Sequence, residues 1–223
     1  MYTLILNKEK VKNTQENKLQ ILLKAFRKET FIMYLLFCVV SIDLVAVFDK
    51  KSLHLIMNKY NSDFFDVFFK YATFLGDGFM FGVLALVFLL IKKTRKLGLT
   101  FIVSGVLTLF VTHLFKKILF KGFSRPVKLI GKENLHLIDG VEIAFRNSFP
   151  SGHTITAFAI FTILCLCLSK CKTQYIWVSF AIIAGLSRVY LSQHFLVDVF
   201  VGSFLGIIVG FASMLIVFPI KTD

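Results

Sequence analysis

The chain has 223 residues, of which 57% are hydrophobic and only 17% charged, and it carries a formal net charge of +13. A soluble domain of this length needs more polar surface to stay dissolved, and its helices would show amphipathic faces, so the composition excludes an ordinary soluble fold. The basic residues cluster beside apolar stretches rather than on one soluble face, which argues against a nucleic-acid partner and favours anionic lipid head groups.

The N-terminal segment 1–29 has mixed charge, and its apolar residues are interrupted by Lys and Glu, so it does not resemble a cleaved signal. Between Leu19 and Phe26 apolar and basic residues are interleaved. This pattern is typical of an amphipathic helix that lies on the inner membrane surface. A flexible cytoplasmic tail is the alternative for this segment.

Residues 30–220 contain recurrent apolar stretches, several of which approach the roughly 20 residues that cross a bilayer. Lipid offers the backbone no hydrogen-bond partners, so each span is expected to be helical. The predicted fold class is therefore all-α, an integral membrane bundle of six transmembrane helices. The predicted spans are 30–48, 71–91, 97–115, 154–169, 174–190 and 198–219.

The basic residues of short loops set the orientation of such a bundle. The loops 92–96 and 170–172 are almost wholly basic, and seven Lys or Arg precede residue 30. These loops predict that both termini are cytoplasmic, in a multi-pass protein of the cell inner membrane. The connection 116–146 also holds seven basic residues, which is unusual for an outer loop unless it binds anions.

Three polar strings interrupt the apolar pattern, and all three fall on the predicted periplasmic or exterior side. They are Arg125-Pro126, then Pro150-Ser151-Gly152-His153, then Ser187-Arg188 with His194 and Asp198. Arginine forks match the oxygens of a phosphate group. Pro150 at a helix start leaves the next three backbone N–H groups free for an anion, and Gly152 permits its close approach. Together the strings predict a phosphate-binding site.

The histidines and the carboxylate add chemistry to this site. His194 and Asp198 are four residues apart, so on a helix they share a face, and the carboxylate would fix the tautomer of the ring. The other ring nitrogen of His194 would then be free to attack phosphorus. His153 remains to protonate the leaving oxygen.

These residues resemble the type 2 phosphatidic acid phosphatase (PAP2) superfamily, whose signature reads K-x6-R-P, P-S-G-H and S-R-x5-H-x3-D. The second and third strings match it without a gap, and the resemblance covers roughly residues 70–215. The first string departs from it, because Ile118 stands seven residues before Arg125 while Lys117 is eight and Lys116 nine residues before. We choose Lys117 as the signature lysine and expect Lys116 and Lys121 to extend towards lipid head groups.

The resemblance implies a membrane lipid phosphatase that forms a phosphohistidine on His194. It implies that Asp198 orients this ring and that His153 protonates the leaving alcohol. The residues implied to hold phosphate oxygens are Lys117, Arg125, Ser151, Gly152 and Arg188. Family members need no metal, and the sequence shows no acidic ligand cluster, so no metal and no cofactor are expected. The four cysteines, Cys38, Cys165, Cys167 and Cys171, also lack metal-ligand spacing.

The substrate is the least determined part of the prediction. Candidates are undecaprenyl diphosphate, phosphatidylglycerol phosphate, phosphatidic acid and the phosphate groups of lipid A. The additional basic residues Lys128, Lys132 and Arg146 favour a multiply charged head group, although they would equally contact neighbouring anionic lipids.

Two other functions fit part of the sequence. A transporter would also have six spans with charge inside the membrane, but its polar residues would lie at the midplane rather than at one interface. A soluble vanadium haloperoxidase shares the phosphate-site signature but lacks apolar spans. Asp77 near the second span would either frame the pocket or cap a helix. The sequence assigns no role to Asp43, His54, His113 or His136.

Overall fold

The computed structural model describes residues 25–167 and 173–218, and every regular element within them is helical. Most of the predicted N-terminal amphipathic segment and the basic loop 170–172 lie outside the described residues. The helices are α1 (Lys28–Val47), α2 (Lys50–Lys59), α3 (Asp63–Ala72), α4 (Phe79–Leu90), α5 (Arg95–His113), α6 (Pro126–Ile130), α7 (Gly152–Cys167), α8 (Tyr175–Tyr190) and α9 (Leu196–Val217).

The predicted all-α membrane fold is confirmed, but the count of six spans is not exact. Three helical segments are long and apolar enough to cross a membrane, namely Lys28–Val47, Lys92–Leu119 and Leu196–Val217. A fourth span requires that Asp63–Gly76 and Phe79–Leu90 be taken together across a bend of 59°. The two remaining apolar helices, α7 and α8, have only 16 residues each.

Helix α7 lies at the centre of the bundle. Every side chain from residue 154 to residue 166 is buried, against α9, α8 and α5. Helix α1, by contrast, exposes much of its surface, including Phe31, Leu36 and Val47. Apolar side chains exposed in this way are expected of a helix in contact with lipid.

Two short helices that the sequence analysis did not recognise connect α1 to α4. Asp49 caps α2 by accepting hydrogen bonds from the backbone N–H groups of Lys51 and Ser52, at 3.0 and 3.1 Å. Ser62 caps α3 through the N–H of Phe65, at 3.3 Å. Both helices have only ten residues and carry charged groups, so neither gives a span-length apolar signal. The predicted span 71–91 therefore begins inside α3.

Close packing of α9 on α7 depends on glycines spaced four residues apart, at Gly202, Gly206 and Gly210. A Cβ placed on Gly206 would lie 2.6 Å from the carbonyl oxygen of Ile155 and 2.6 Å from the Cβ of Phe158. Small residues at such spacing let two helix backbones approach closely in a membrane. The contact matters for function because α9 begins next to the polar strings.

We expect Gly206→Ala to lower the thermal stability of the detergent-purified protein, because the added methyl group meets backbone that cannot move freely. Overpacking of this kind costs about 1–3 kcal/mol. Gly82→Ala in α4 is the matched control, since a Cβ there meets nothing within 4 Å. Equal melting temperatures for the two variants would contradict this packing of α7 against α9.

Candidate active site

The polar strings that the sequence analysis singled out meet where α7 and α9 begin and α8 ends. The backbone N–H of Ser151, just before α7, donates to the carbonyl of Asp198 in the first turn of α9, at 3.0 Å. In the connection 191–195, the N–H groups of Gln193 and His194 both donate to the carbonyl of Arg188, at 2.9 and 3.0 Å. These backbone bonds hold the second and third strings together.

His194 is buried and faces the carboxylate of Asp198. Its Nδ1 lies 3.3 Å from Oδ2 of Asp198, and the same oxygen accepts the N–H of Phe195 at 3.1 Å. Ser148 donates its hydroxyl to this oxygen as well, and its Oγ lies 3.5 Å from Nδ1 of His194. With Nδ1 turned to the carboxylate, Nε2 is the ring nitrogen left for chemistry.

Ser148 is a site residue that sequence reasoning missed. It is fully enclosed at 1% exposure, yet it stands in a loop where a serine is common. No spacing rule connects it to His194, because the contact forms only when the loop before α7 folds over the start of α9. The nearest sequence signal was its position two residues before Pro150.

Side chains of α2 also contact the turn that carries His194. His54 places Nε2 at 3.1 Å from the hydroxyl of Ser192, and Asn58 donates to that hydroxyl at 3.3 Å. The ring of His54 packs edge-on against Phe195, with 5.5 Å between ring centroids. A histidine without a role in the sequence analysis therefore supports the turn on which His194 stands.

Arg125 joins the first string to the same turn. Its Nη1 donates to the backbone oxygen and to the side-chain oxygen of Gln193, at 3.2 and 2.9 Å. Its Nε donates to the carbonyl of Arg146, at 3.1 Å. Burial lowers the pKa of the Arg125 guanidinium from its usual value, although Asp198 and Glu142 oppose this effect.

One of the N–H groups of Arg188 lacks a hydrogen-bond partner among the described residues. Its Nη1 donates to the hydroxyl of Thr73 at 2.7 Å. Its Nε is buried and has no hydrogen-bond partner among the described residues. Because a buried unpaired N–H on a charged group is costly, an anion that accepts from this nitrogen would be favoured.

The lysine nearest the cluster is Lys116 rather than the predicted Lys117. Lys116 Nζ lies 3.8 Å from the point where a Cβ of Gly152 would stand, whereas the side chain of Lys117 is exposed. Both belong to a π-helical turn, Leu114–Leu119, that continues α5. A π turn holds more residues than an α turn, so it changes which lysine faces inward.

His153 stands at the more open side of the cluster, on the first turn of α7. Its side chain is 34% exposed, and its Nε2 lies 4.0 Å from Oδ2 of Asp77. A cavity of about 410 Å³ adjoins it between α4, α5 and α7. Glycines and threonines contribute much of the cavity wall, among them Gly76, Gly105, Thr108 and Thr112.

The phosphate site was predicted to use the backbone N–H of Ser151, and this part of the prediction is wrong. That N–H already donates to Asp198. The Ser151 hydroxyl accepts hydrogen bonds from the hydroxyl and the backbone N–H of Thr154, at 2.8 and 3.4 Å. Only the hydroxyl hydrogen of Ser151 therefore remains for an anion.

Comparison with known proteins identifies the family of the chain. The family model described as PAP2 superfamily matches residues 93–221, which is more than half of the chain. The chain belongs to the PAP2 superfamily.

Two curated relatives and one solved structure are similar to this PAP2 chain. It is 31% identical over 128 residues to the bacitracin transport permease protein BcrC of Bacillus licheniformis, which covers 57% of this chain and 61% of the relative. It is 26% identical over 129 residues to an undecaprenyl-diphosphatase of Sulfolobus acidocaldarius, with 56% and 58% covered. The chain thus spans about three fifths of the length of these curated relatives.

The solved structure is a transmembrane PAP2 type phosphatidylglycerolphosphate phosphatase from Bacillus subtilis. It superimposes with a TM-score of 0.60 at 20% identity, covering 88% of this chain and 99% of that chain. At this identity the likeness concerns the fold alone. It agrees with the all-α membrane architecture described above.

Within the PAP2 signature, the structure brings Arg125, Arg188, His153, His194 and Asp198 to one cluster and leaves Lys117 outside it. Within the described residues, no group of three or more His, Cys, Asp or Glu is placed to hold a metal ion. Lys116, Arg125 and Arg188 are positive charges that act on His194.

Proposed function

We propose that the chain is a lipid phosphatase in which His194 attacks phosphorus and forms a phosphohistidine. The observation that carries this proposal is the buried pair of His194 and Asp198, 3.3 Å apart, beside the unpaired Nε of Arg188. A nucleophile oriented by a carboxylate, with an unpaired cationic N–H beside it, matches a phosphoryl group. An anionic oxygen pairs with a charged donor more strongly than an uncharged acceptor does, so the site favours a phosphorylated substrate.

The surroundings of His194 keep its ring neutral. Burial, followed by the positive charges of Lys116, Arg125 and Arg188, lowers the pKa of His194 well below its usual value. A ring with a lowered pKa stays unprotonated at neutral pH and becomes protonated only as the pH falls further. Nε2 therefore keeps the lone pair that a nucleophile requires.

The proposed reaction has two steps, transfer of the phosphoryl group to His194 and its hydrolysis. In the first, Nε2 of His194 bonds to phosphorus, the bond from phosphorus to the leaving oxygen breaks, and His153 gives that oxygen a proton. In the second, water attacks phosphorus, His153 takes a proton from it, and the bond to Nε2 breaks to release inorganic phosphate. Arg125, Arg188 and Lys116 would stabilise the charge on the phosphoryl oxygens in both steps.

We further propose that the substrate is a lipid that carries a multiply charged phosphate group. The site lies at the ends of apolar helices, so a membrane-anchored phosphate would reach it by diffusion within the bilayer. The cavity beside His153 is where the leaving group would lie, because that residue protonates it; the leaving group is an alcohol for a phosphomonoester and a lipid phosphate for a diphosphate. Undecaprenyl diphosphate and lipid A phosphate suit the surplus of positive charge better than phosphatidic acid. One relative is named for the first of these substrates.

The orientation of the site is part of the proposal. Both termini and the loop 92–96 would be cytoplasmic, and the cluster around His194 would face the periplasm or the exterior. This placement supports a substrate in the outer leaflet of the cytoplasmic membrane. It follows from the basic short loops, whose charges are retained on the inner side.

Phosphate release from purified protein in mixed micelles tests the proposal. Undecaprenyl diphosphate, lipid A, phosphatidylglycerol phosphate and phosphatidic acid would be offered at equal surface concentration, and kcat/KM compared. We expect hydrolysis that persists in EDTA, is blocked by vanadate and favours the first two lipids. Selectivity for phosphatidic acid would overturn the substrate ranking. Release from none of the four would overturn the phosphatase proposal and favour transport.

A further inference from the structure

Asp77 stands between a short 3₁₀ turn, Thr73–Gly76, and the start of α4. One of its oxygens, Oδ1, accepts the backbone N–H of Phe79 at 3.0 Å, as a capping residue does. The other oxygen, Oδ2, lies 4.0 Å from Nε2 of His153. The carboxylate therefore has one end anchored to α4 and the other end turned to the ring.

Gly76, the residue before Asp77, packs directly against His153. A Cβ on Gly76 would lie 2.6 Å from the carbonyl oxygen of His153 and 3.2 Å from its Cβ. Such distances leave no space for a side chain at position 76. Glycine at this position lets the link to α4 pass directly over His153, which fixes where Asp77 stands.

The other charges that face His153 are positive. They are Arg188 at the end of α8, Lys116 on the π-helical turn and Arg125 before α6. Positive neighbours and burial both disfavour a proton on the ring. A general acid must hold a proton when the substrate arrives, so His153 needs an opposing negative charge. The carboxylate of Asp77 is placed to supply it.

We propose that Asp77 is a positioning residue that opposes the positive charges around His153 and aligns the ring to protonate the leaving oxygen. This inference rests on the phosphatase function proposed above. Asp77 itself touches neither the phosphoryl group nor the nucleophile. Its effect on kcat/KM is confined to the first step, in which the bond to the leaving oxygen breaks.

The substitution Asp77→Asn separates this role from helix capping. The amide oxygen of Asn can still accept the N–H of Phe79, and Asn is as good a cap as Asp, but the negative charge is gone. We expect kcat/KM on a lipid phosphomonoester such as phosphatidylglycerol phosphate, whose leaving group is an alcohol, to fall by roughly tenfold or more, which is part of the effect of a general acid. The alkaline limb of the pH profile should move to lower pH, because an unopposed ring loses its proton more readily.

A second substrate distinguishes an effect on leaving-group protonation from a general loss of activity. An aryl phosphate such as p-nitrophenyl phosphate has a leaving group that needs little protonation, so its kcat/KM with Asp77→Asn should stay near the wild-type value. Asp77→Glu should recover part of the activity on the lipid. Asp63→Asn, at an exposed acidic residue of α3, is the matched control for loss of one negative charge and should leave both activities unchanged.

The outcomes distinguish this inference from the proposed function. Wild-type protein that hydrolyses no phosphate would overturn both. Active wild-type protein with an unchanged Asp77→Asn rate and pH profile would overturn the role of Asp77 alone. Equal losses on the lipid and on the aryl phosphate, without a shift of the alkaline limb, would show that Asp77 only supports the fold.

Discussion

His194→Ala is expected to lower kcat for lipid phosphate hydrolysis on the order of 10⁴-fold, because the variant lacks the atom that bonds to phosphorus. The surrounding fold should persist, since Asp198 keeps the hydrogen bonds from Ser148 and from the N–H of Phe195. Vanadate affinity should fall less than kcat does, because Arg125 and Arg188 remain. The measurement is phosphate release from micelles by protein of matched expression and monodispersity.

His113→Ala is the control for this substitution. His113 ends α5 with an exposed side chain, away from the turn that carries His194. The His113→Ala protein should hydrolyse lipid phosphate at the wild-type rate. A His194→Ala protein that retains the wild-type rate would exclude this residue as the nucleophile.

Lys116→Ala is expected to lower kcat/KM about 100-fold, the effect of removing one fixed donor from a developing charge. Lys117→Ala should stay within about twofold of wild type. The two lysines are adjacent and chemically identical, so the pair controls for charge and for position at the membrane surface. The expected effects differ only because the two side chains point in different directions: Lys116 faces Gly152, and Lys117 is exposed.

Other results for this pair have clear meanings. Equal and modest losses would show that both lysines contact lipid head groups rather than substrate. A large loss confined to Lys117→Ala would restore the prediction made from the sequence and contradict the arrangement of the π-helical turn. Lys121→Ala, in the same basic stretch, should resemble Lys117→Ala.

Apolar stretches predicted the membrane fold, and motif spacings predicted most of the residues that lie together around His194. Each predicted span contains an apolar helix, because burial in lipid selects composition directly. Counting spans placed the three strings on one side, and the structure brings them together through bonds such as that from Ser151 to Asp198. The four-residue spacing led us to expect His194 and Asp198 on one helix face. They are 3.3 Å apart, but His194 precedes α9, and the contact forms because Asp198 in the first turn also accepts the N–H of Phe195.

Features that depend on three-dimensional packing gave no sequence signal. The choice between Lys116 and Lys117 depends on a π turn, which an α-helical spacing rule cannot represent. Ser148 and Asp77 reach the site from loops, where residue type alone does not indicate a partner. Helices α2 and α3 were missed because ten-residue helices with mixed polarity resemble connecting segments.

The central claim is the covalent step on His194, and trapping the phosphorylated protein tests it most directly. Wild-type protein would be mixed with lipid that carries a radiolabelled phosphate and quenched in alkali within the first turnovers. A bond from phosphorus to a histidine nitrogen withstands alkali and is hydrolysed by acid. We predict labelled protein with this acid lability, located by proteolysis to the peptide that contains His194 and absent from His194→Ala. Rapid phosphate release with no label on the protein at any quench time, or label on another residue, would contradict the mechanism.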